Sequence, residues 1–248
     1  KYINLYNKAL INLKVSHWVF WVFVNPLYFA FYLIFPKERK SLSLRTPIGK
    51  INLVLRNRQS ARTIYSIFIR EDYYTDESYK NILDFGSNIG ISAVYFLSRN
   101  KKNKILCLEP DPNNAYFLDE NLKKFKNRSK IFFCAIGSKD EEEIEYNLSI
   151  DGKYSSFEKL PISKFDKKVK VKIMSFENVM EQTIFNNQFP ILLKIDIEGL
   201  EKKVLQTIDF FKHKKIKEII VEGLGNKDFI NKKANPKVVN YYVEKFEF

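Results

Sequence analysis

The chain has 248 residues, of which 45% are hydrophobic, and this is enough for one large α/β domain with an N-terminal extension. The formal net charge is +13, and it is uneven, because residues 1–80 hold 13 basic and five acidic residues. A basic front half indicates either an anionic partner, such as phospholipid or an anionic glycan, or a Lys-rich solvated surface. The absence of zinc-finger, RRM, KH and helix-turn-helix signatures argues against a nucleic-acid partner.

The two cysteines, Cys107 and Cys134, each lie inside an apolar run. They allow neither a disulfide framework nor a metal-ligand spacing, so we expect buried free thiols and no metal site. This usage fits a reducing, cytoplasmic compartment best.

Residues 1–40 form an apolar, aromatic segment. Residues 15–35 contain no Lys, Arg, Asp or Glu, and nine of the 21 are aromatic. The length allows a membrane span, but Pro26 interrupts a helix and the aromatic rings favour the membrane interface. Three structures remain open: helices packed on the main domain, a helical hairpin lying in the interface, or a spanning helix.

Residues 41–80 predict a hairpin and a helix that lead into the main domain. Two alternating runs flank a turn at Pro47-Ile48-Gly49, which predicts a β-hairpin over residues 42–55. A helix is predicted over residues 60–69.

Residues 81–248 alternate between strand and helix patterns. The predicted strands are 81–85, 104–108, 130–135, 191–195 and 217–222. The predicted helices are 89–98, 113–125, 200–211 and, on a weaker pattern, 227–239. We therefore predict an α/β fold with a doubly wound, mostly parallel, Rossmann-like sheet. Residues 144–176 predict an added hairpin, and residues 242–248 predict a last strand.

The first predicted strand ends in a glycine-rich loop that opens a helix. Gly86 permits a tight turn, and Gly90 lets the helix pack closely on the sheet. The pattern D-x-G-x-N-x-G differs from the dinucleotide pattern G-x-G-x-x-G, and it suits a ligand with an ammonium and a carboxylate. The candidate ligand-binding residues in this loop are Asp84, Gly86, Ser87, Asn88 and Gly90.

Glu109 ends the second predicted strand, 25 residues after Asp84. An acid at this place can accept hydrogen bonds from both ribose hydroxyls of NAD or of S-adenosylmethionine (AdoMet). Pro110 and Asp111 follow it in the same binding loop, and Asn113 or Asn114 is expected to cap the next helix. The ends of two later strands complete the site.

The third predicted strand ends at Ala135 and Ile136, whose backbone is placed to meet an adenine ring. The end of the fourth predicted strand carries Lys194, and Asp196 and Glu198 follow it, so that the three share a face if the chain stays extended. These three are the catalytic candidates, with Lys194 acting as a base if its pKa is lowered, and Asp196 also reaches the cofactor.

Three further ionisable residues lie in or near these predicted strand ends and helices. Glu201 is expected in the first turn of a helix, where it favours the helix dipole. Glu222, at the end of the fifth strand, is a further candidate. His213 lies in a basic tail away from the strand ends, so a histidine base is not expected.

At these motifs the sequence resembles the FkbM-type methyltransferases, a branch of the class I AdoMet-dependent enzymes. The matching segments are DFGSNIG, EPDP, AIG and KIDIEGLE, beginning at Asp84, Glu109, Ala135 and Lys194. The resemblance extends over residues 44–223. It implies AdoMet held by the glycine-rich loop and Glu109, O-methylation of a hydroxyl, and a closing antiparallel strand that is not evident before the chain stops.

The resemblance also implies that Arg56 and Ser60 reach toward the site, although Ala61 stands where the family often has an acid. We therefore expect an AdoMet-dependent O-methyltransferase of a glycan, a lipid-linked saccharide or a small polar metabolite. Membrane contact through residues 15–35 would be peripheral. The competing hypotheses are an NAD-dependent oxidoreductase and a non-catalytic, membrane-associated Rossmann-like protein.

Overall fold

The computed structural model describes residues 21–35, 40–75, 81–149, 155, 165–185, 189–222 and 237–241. The predicted strand at 242–248 and most of the predicted helix 227–239 lie outside these residues. The end of that helix prediction is wrong, because residues 237–239 belong to a strand.

The secondary structure follows the predicted alternation closely. The helices are α1 (Pro26–Ile34), α2 (Arg58–Ile64), α3 (Ile91–Arg99), α4 (Pro112–Leu122), α5 (Phe176–Glu181) and α6 (Glu201–Thr207). The strands are β1 (Lys40–Thr46), β2 (Gly49–Leu55), β3 (Asn81–Phe85), β4 (Lys104–Leu108), β5 (Ser129–Phe132), β6 (Cys134–Gly137), β7 (Glu141–Ser149), β8 (Phe165–Ser175), β9 (Ile191–Ile195), β10 (Ile216–Glu222) and β11 (Lys237–Tyr241). A π-helical turn, Tyr65–Ile69, continues α2, and a 3₁₀ turn, Lys123–Phe125, continues α4.

The main sheet has the strand order β11-β10-β9-β3-β4-β5, and every pair in it is parallel. Successive residues of β3 face opposite sides: Ile82 packs with α3 and α4, and Leu83 packs with α5 and α6. The doubly wound α/β prediction is therefore confirmed. The strand order reverses between β3 and β9, and open α/β sheets bind their ligands at such a switch point.

The predicted strand 130–135 is wrong as a single element. It divides at the exposed Phe133 into β5, in the main sheet, and β6, in a second sheet of order β6-β8-β7. The apolar run is continuous in sequence, but its two halves pair with different partners. The hairpin predicted within 144–176 is confirmed as the antiparallel pair β7–β8.

The lead-in hairpin is confirmed as the antiparallel pair β1–β2. The predicted helix 200–211 is shorter, because Ile208 is already extended after Thr207. A continuous apolar cluster joins α1, the hairpin and one face of the main sheet. The divisions at residues 40 and 80 stay predictions about the chain, and this cluster crosses both.

The described part of the apolar N-terminal segment packs on the hairpin. Phe23 forms a bridge with Leu44, and Asn25 caps α1 by accepting from the backbone N–H of Tyr28 at 3.0 Å. Phe29 and Tyr32 of α1 are buried on its inner face. Residues 21–35 thus follow the packed alternative, and within the described ranges no helix has the length and apolar character needed to cross a membrane.

Candidate functional site

The loops after β3, β4 and β9 meet at the carboxyl edge of the sheet. The backbone N–H groups of Gly86 and Ser87 donate to Leu108 O at 3.1 and 3.0 Å. The N–H of Asp196 donates to Phe85 O at 3.1 Å. These bonds hold the predicted loops together at the switch point.

A buried ion pair lies under this junction. Lys194 Nζ is 3.0 Å from Asp84 Oδ1, and it donates to Gly86 O at 2.7 Å. Ser92 Oγ donates to the other oxygen of Asp84 at 2.6 Å. Asp84 is fully buried, so its contacts with Lys194 and Ser92 orient the loop.

Lys194 is not suited to act as a base. Burial alone would lower its pKa, but the carboxylates of Asp84 and Asp196 outweigh that effect, and the pKa is raised. The prediction of a lowered pKa for Lys194 is therefore wrong, because the local sequence does not show that two carboxylates lie beside the buried amine. The residue stays protonated and contributes positive charge.

Asp196 lies at the edge of this pair, and its side chain is 25% exposed. Its Oδ2 is 3.8 Å from Lys194 Nζ and accepts from the Tyr73 hydroxyl at 3.5 Å. Tyr73 is a site residue that the sequence reasoning missed. It comes from the lead-in, in the segment IFIREDYY at residues 67–74, rather than from a strand end.

The chain was predicted to stay extended through Glu198, but the extended conformation ends before that residue. Glu198 and Gly199 adopt positive φ angles of 55° and 104°. The Glu201 carboxylate accepts from the backbone N–H groups of Ile197 and Gly199, both at 3.0 Å. The prediction that Glu198 shares the strand face of Lys194 is therefore wrong, because Glu201 closes the segment into a turn.

Glu109 follows β4 and is hydrogen-bonded to the glycine-rich loop. It is 4% exposed, and its two oxygens accept from the backbone N–H groups of Asn88 at 2.7 Å and Asp111 at 2.9 Å. Burial raises the pKa of Glu109 to about 7, partly offset by these donors. Asn88 itself has a left-handed φ of 51°.

Asp111 caps α4, a place that the sequence assigned to Asn113 or Asn114. Its Oδ1 accepts from the N–H of Asn113 at 2.8 Å, and its Oδ2 accepts from Ser155 Oγ at 3.0 Å. The side chain is fully buried and serves as the helix cap, and its predicted contact with the cofactor stays a prediction. Pro110, between the two acids, is partly exposed.

The lead-in reaches the glycine-rich loop, as the resemblance implies. Arg56 Nη1 donates to Asn114 Oδ1 at 2.6 Å and lies 3.7 Å from Asp111 Oδ2. A depression beside the loop is lined by Arg56, Asn57, Gln59, Ser60, Thr63, Asn88, Ile89 and Ile91. Ala61 is fully buried in the core, so an acid at that position would lie among apolar side chains.

The remaining candidates lie around this junction. Ala135 and Ile136 are buried in β6, which belongs to the second sheet. Their contact with an adenine ring stays a prediction. Glu222 ends β10 and adds to the negative charge that raises the pKa of Lys194.

His213 lies away from the site. It precedes β10 and contacts Glu177 Oε1 at 2.7 Å, at the opposite edge of the sheet from the loops. Within the part of the chain that the structure describes, no group of three or more His, Cys, Asp or Glu side chains is arranged to hold a metal ion.

Comparisons with known proteins identify a family for the main domain. The model of the methyltransferase FkbM domain matches residues 84–247, well over half of the chain. No curated protein matches it. The crystal structure of the methyltransferase FkbM from Methylobacillus flagellatus KT is 15% identical, with a TM-score of 0.36, over 60% of this chain and 39% of that one. The chain thus spans less than half of that protein's length, and by its domain match it belongs to the FkbM methyltransferase domain family.

Proposed function

We propose that the protein is an AdoMet-dependent O-methyltransferase that acts on a hydroxyl of a glycan, a lipid-linked saccharide or a small polar metabolite. The observation that carries the proposal is the 2.7 Å hydrogen bond from the Asn88 N–H to Glu109 Oε2. This bond connects the glycine-rich loop to Glu109, the acid that follows β4, at the switch point of the sheet. One ligand can contact both there.

The residues at this junction fit the cofactor. Glu109 Oε2 accepts from the Asn88 N–H and keeps a second lone pair for a ribose hydroxyl, whereas Oε1 accepts from the Asp111 N–H and from Asn114 Nδ2 at 3.5 Å. The loop from Gly86 to Gly90 would hold the amino-acid part, and the backbone of Ala135 and Ile136 would meet the adenine. When bound, AdoMet supplies an electrophilic methyl group.

The chain's own residues would align the acceptor and take its proton. Asp196 is the leading proton acceptor, because it is partly exposed and its carboxylate lies beside Tyr73 and Lys194. The protonated Lys194 would stabilise a negatively charged Asp196 and fix its position. Glu198, in the turn that follows, remains the alternative acceptor.

Isothermal titration calorimetry with AdoMet and with S-adenosylhomocysteine tests the cofactor. We expect the intact protein to bind both, and we expect Glu109→Gln to weaken binding by at least about tenfold, through loss of the hydrogen bonds to an anionic acceptor. Glu143→Gln, on an exposed side chain of β7, is the matched control and should bind normally. The proposal is wrong if the intact protein binds neither nucleoside, or if NAD displaces AdoMet from the same site.

The acceptor class is tested separately by mass spectrometry. Glycans and glycolipids from cells with the wild-type protein should carry one methyl group more than those from cells with Asp196→Asn. An identical set of methylated saccharides in both cells would contradict the saccharide substrate and leave the small polar metabolites. It would not affect the calorimetric result on AdoMet.

A further inference from the structure

The outward face of α1 carries a stripe of exposed apolar side chains. Together with the preceding tryptophan it forms what we term the apolar patch: Trp21 (64% exposed), Leu27 (78%), Phe31 (55%), Ile34 (64%) and Phe35 (57%). Leu27, Phe31 and Ile34 are spaced by four and three residues, so they lie on one side of the helix, and Phe35 follows the helix end. Clusters of exposed apolar side chains on soluble proteins often mark a binding surface.

The fold holds this patch in place. On the inner face, Phe29 and Tyr32 are 3% and 1% exposed, and Phe29 stacks on Phe23 with ring centroids 3.8 Å apart. The Val24 N–H donates to Ser43 O at 2.9 Å, which continues the edge of the hairpin. The exposed side chains therefore stand on a helix anchored from below.

Positive charge lies next to the patch. Arg45 Nη1 donates to the carbonyl oxygens of Trp21 at 3.3 Å and Phe23 at 2.6 Å. Lys50 lies opposite Arg45 in the hairpin register, and both residues are exposed. The patch and the basic hairpin thus present an apolar surface with a cationic rim.

We propose that α1 and the β1–β2 hairpin dock on the surface of an anionic lipid bilayer. Trp and Phe side chains partition into the interfacial region, and Arg45 and Lys50 would meet the lipid headgroups. The helix has nine residues, a length of about 14 Å at 1.5 Å per residue, so it lies in one leaflet and does not cross. The charge favours this occupant over a second copy of the chain, which carries the same positive charge.

Vesicle sedimentation of the full chain tests the proposal. We expect the protein to sediment with vesicles of phosphatidylcholine containing phosphatidylglycerol, and far less with phosphatidylcholine alone. Added salt should reduce binding, because part of the attraction is electrostatic. Absence of binding to the anionic vesicles at low salt would overturn the proposal, whatever the outcome of the AdoMet titration.

Substitutions distinguish binding through the apolar patch from nonspecific hydrophobic adsorption. Leu27→Ser with Phe31→Ser should lower the partition coefficient by about tenfold for each side chain. The control, Phe133→Ser with Phe211→Ser, changes two exposed rings elsewhere on the molecule and should bind like the wild type. Equal loss in both double variants would overturn the assignment of the patch.

Charge and self-association provide the remaining tests. Lys50→Glu should weaken binding to anionic vesicles more than Lys102→Glu, an exposed lysine outside the hairpin. Sedimentation velocity without lipid identifies the competing occupant. A dimer that Leu27→Ser with Phe31→Ser converts to monomer would show that a second copy covers the patch, and would overturn the proposal.

Discussion

At the scale of single residues, two buried carboxylates at the site have different neighbours. Asp84 has the Lys194 ammonium 3.0 Å away, whereas Glu109 accepts from the backbone N–H groups of Asn88 and Asp111 and from the Asn114 amide. Burial therefore raises the pKa of Glu109 to about 7, within the physiological range. The same carboxylate is the proposed ribose acceptor, so its protonation bears on both stability and binding.

The stability of the protein should fall as the pH rises through the pKa of Glu109. The folded-state pKa of about 7 exceeds the ordinary value of 4.5, so unfolding releases a proton between these values. From pH 6 to pH 8 the wild type should lose about 1 kcal/mol of unfolding free energy relative to Glu109→Gln, as measured by urea denaturation. A Glu143→Gln variant should keep the wild-type slope, and an equal slope in Glu109→Gln would contradict the assignment.

Removing only one partner of the Asp84–Lys194 ion pair should strongly lower the free energy of unfolding. Lys194→Met leaves the fully buried Asp84 carboxylate without its cation, and we expect a loss of about 3–5 kcal/mol in urea denaturation. Adding Asp84→Asn removes the unpaired charge and should restore part of the stability. A double variant less stable than Lys194→Met alone would show that the charges do not compensate each other as described.

The Tyr73 hydroxyl should matter for activity rather than for folding. Tyr73→Phe removes a donor 3.5 Å from Asp196 Oδ2 and keeps the ring that packs on Phe96. We expect kcat to fall by about tenfold with little change in KM for AdoMet and a melting temperature near that of the wild type. Tyr74→Phe, on an exposed neighbour, is the control. Equal kcat values in the two variants would remove Tyr73 from the site.

At the scale of elements, the turn after β3 fits closely against the end of β9. A Cβ on Gly86 would lie 1.8 Å from the Asp196 carbonyl oxygen, and the Gly86 φ is 75°. Glycine is required here by both conformation and space, because the obstacle is backbone that cannot rotate away. The absence of a side chain at Gly86 lets the carboxyl ends of β3 and β9 lie this close to each other.

Gly86→Ala should therefore destabilise the protein more than Gly199→Ala. Gly199 also has a positive φ, of 104°, but a Cβ there meets nothing within 4 Å, so its substitution carries strain alone, about 1 kcal/mol. For Gly86→Ala we expect about 3 kcal/mol or more, measured by thermal denaturation, since β9 must shift. Similar losses for both variants would mean that the contact with Asp196 relaxes without cost.

At the scale of the whole molecule, Asn121 connects the lead-in hairpin to the main domain. Its Oδ1 accepts from the Val54 N–H at 2.7 Å, and its Nδ2 donates to Val54 O at 3.1 Å and Ile89 O at 2.7 Å. One side chain thus satisfies backbone groups of β2 and of the glycine-rich loop. Together with the shared apolar cluster, it predicts that both parts unfold together.

Asn121→Ala should cost about 2–4 kcal/mol, because buried backbone groups lose their partners. The matched control is Asn113→Ala, on an exposed position of the same helix. In urea, the fluorescence of the two tryptophans, Trp18 and Trp21 of the N-terminal segment, and the far-ultraviolet circular dichroism of the whole fold should change together in the wild type. A fluorescence transition that precedes the loss of circular dichroism would show that the lead-in unfolds independently.

The sequence alone determined the main sheet and the loops at its carboxyl edge. The strands 81–85, 104–108 and 191–195 were predicted with the bounds that the structure gives them. Strands buried on both faces are continuous apolar runs, and the glycines and acids that end them are local features. These local signals sufficed for the fold class and for the meeting of the glycine-rich loop with Glu109.

The tertiary structure decided what depends on neighbours distant in the chain. The apolar run at Phe133 divides because its halves pair with different sheets, and Lys194 stays charged because Asp84 comes from another strand. Tyr73 joins the site from the lead-in, and Asp111 rather than Asn113 or Asn114 caps the following helix. Strand pairing, counter-ions and side-chain burial arise only when separate segments meet, since neither hydrogen-bond partners nor dielectric surroundings are encoded in local spacing.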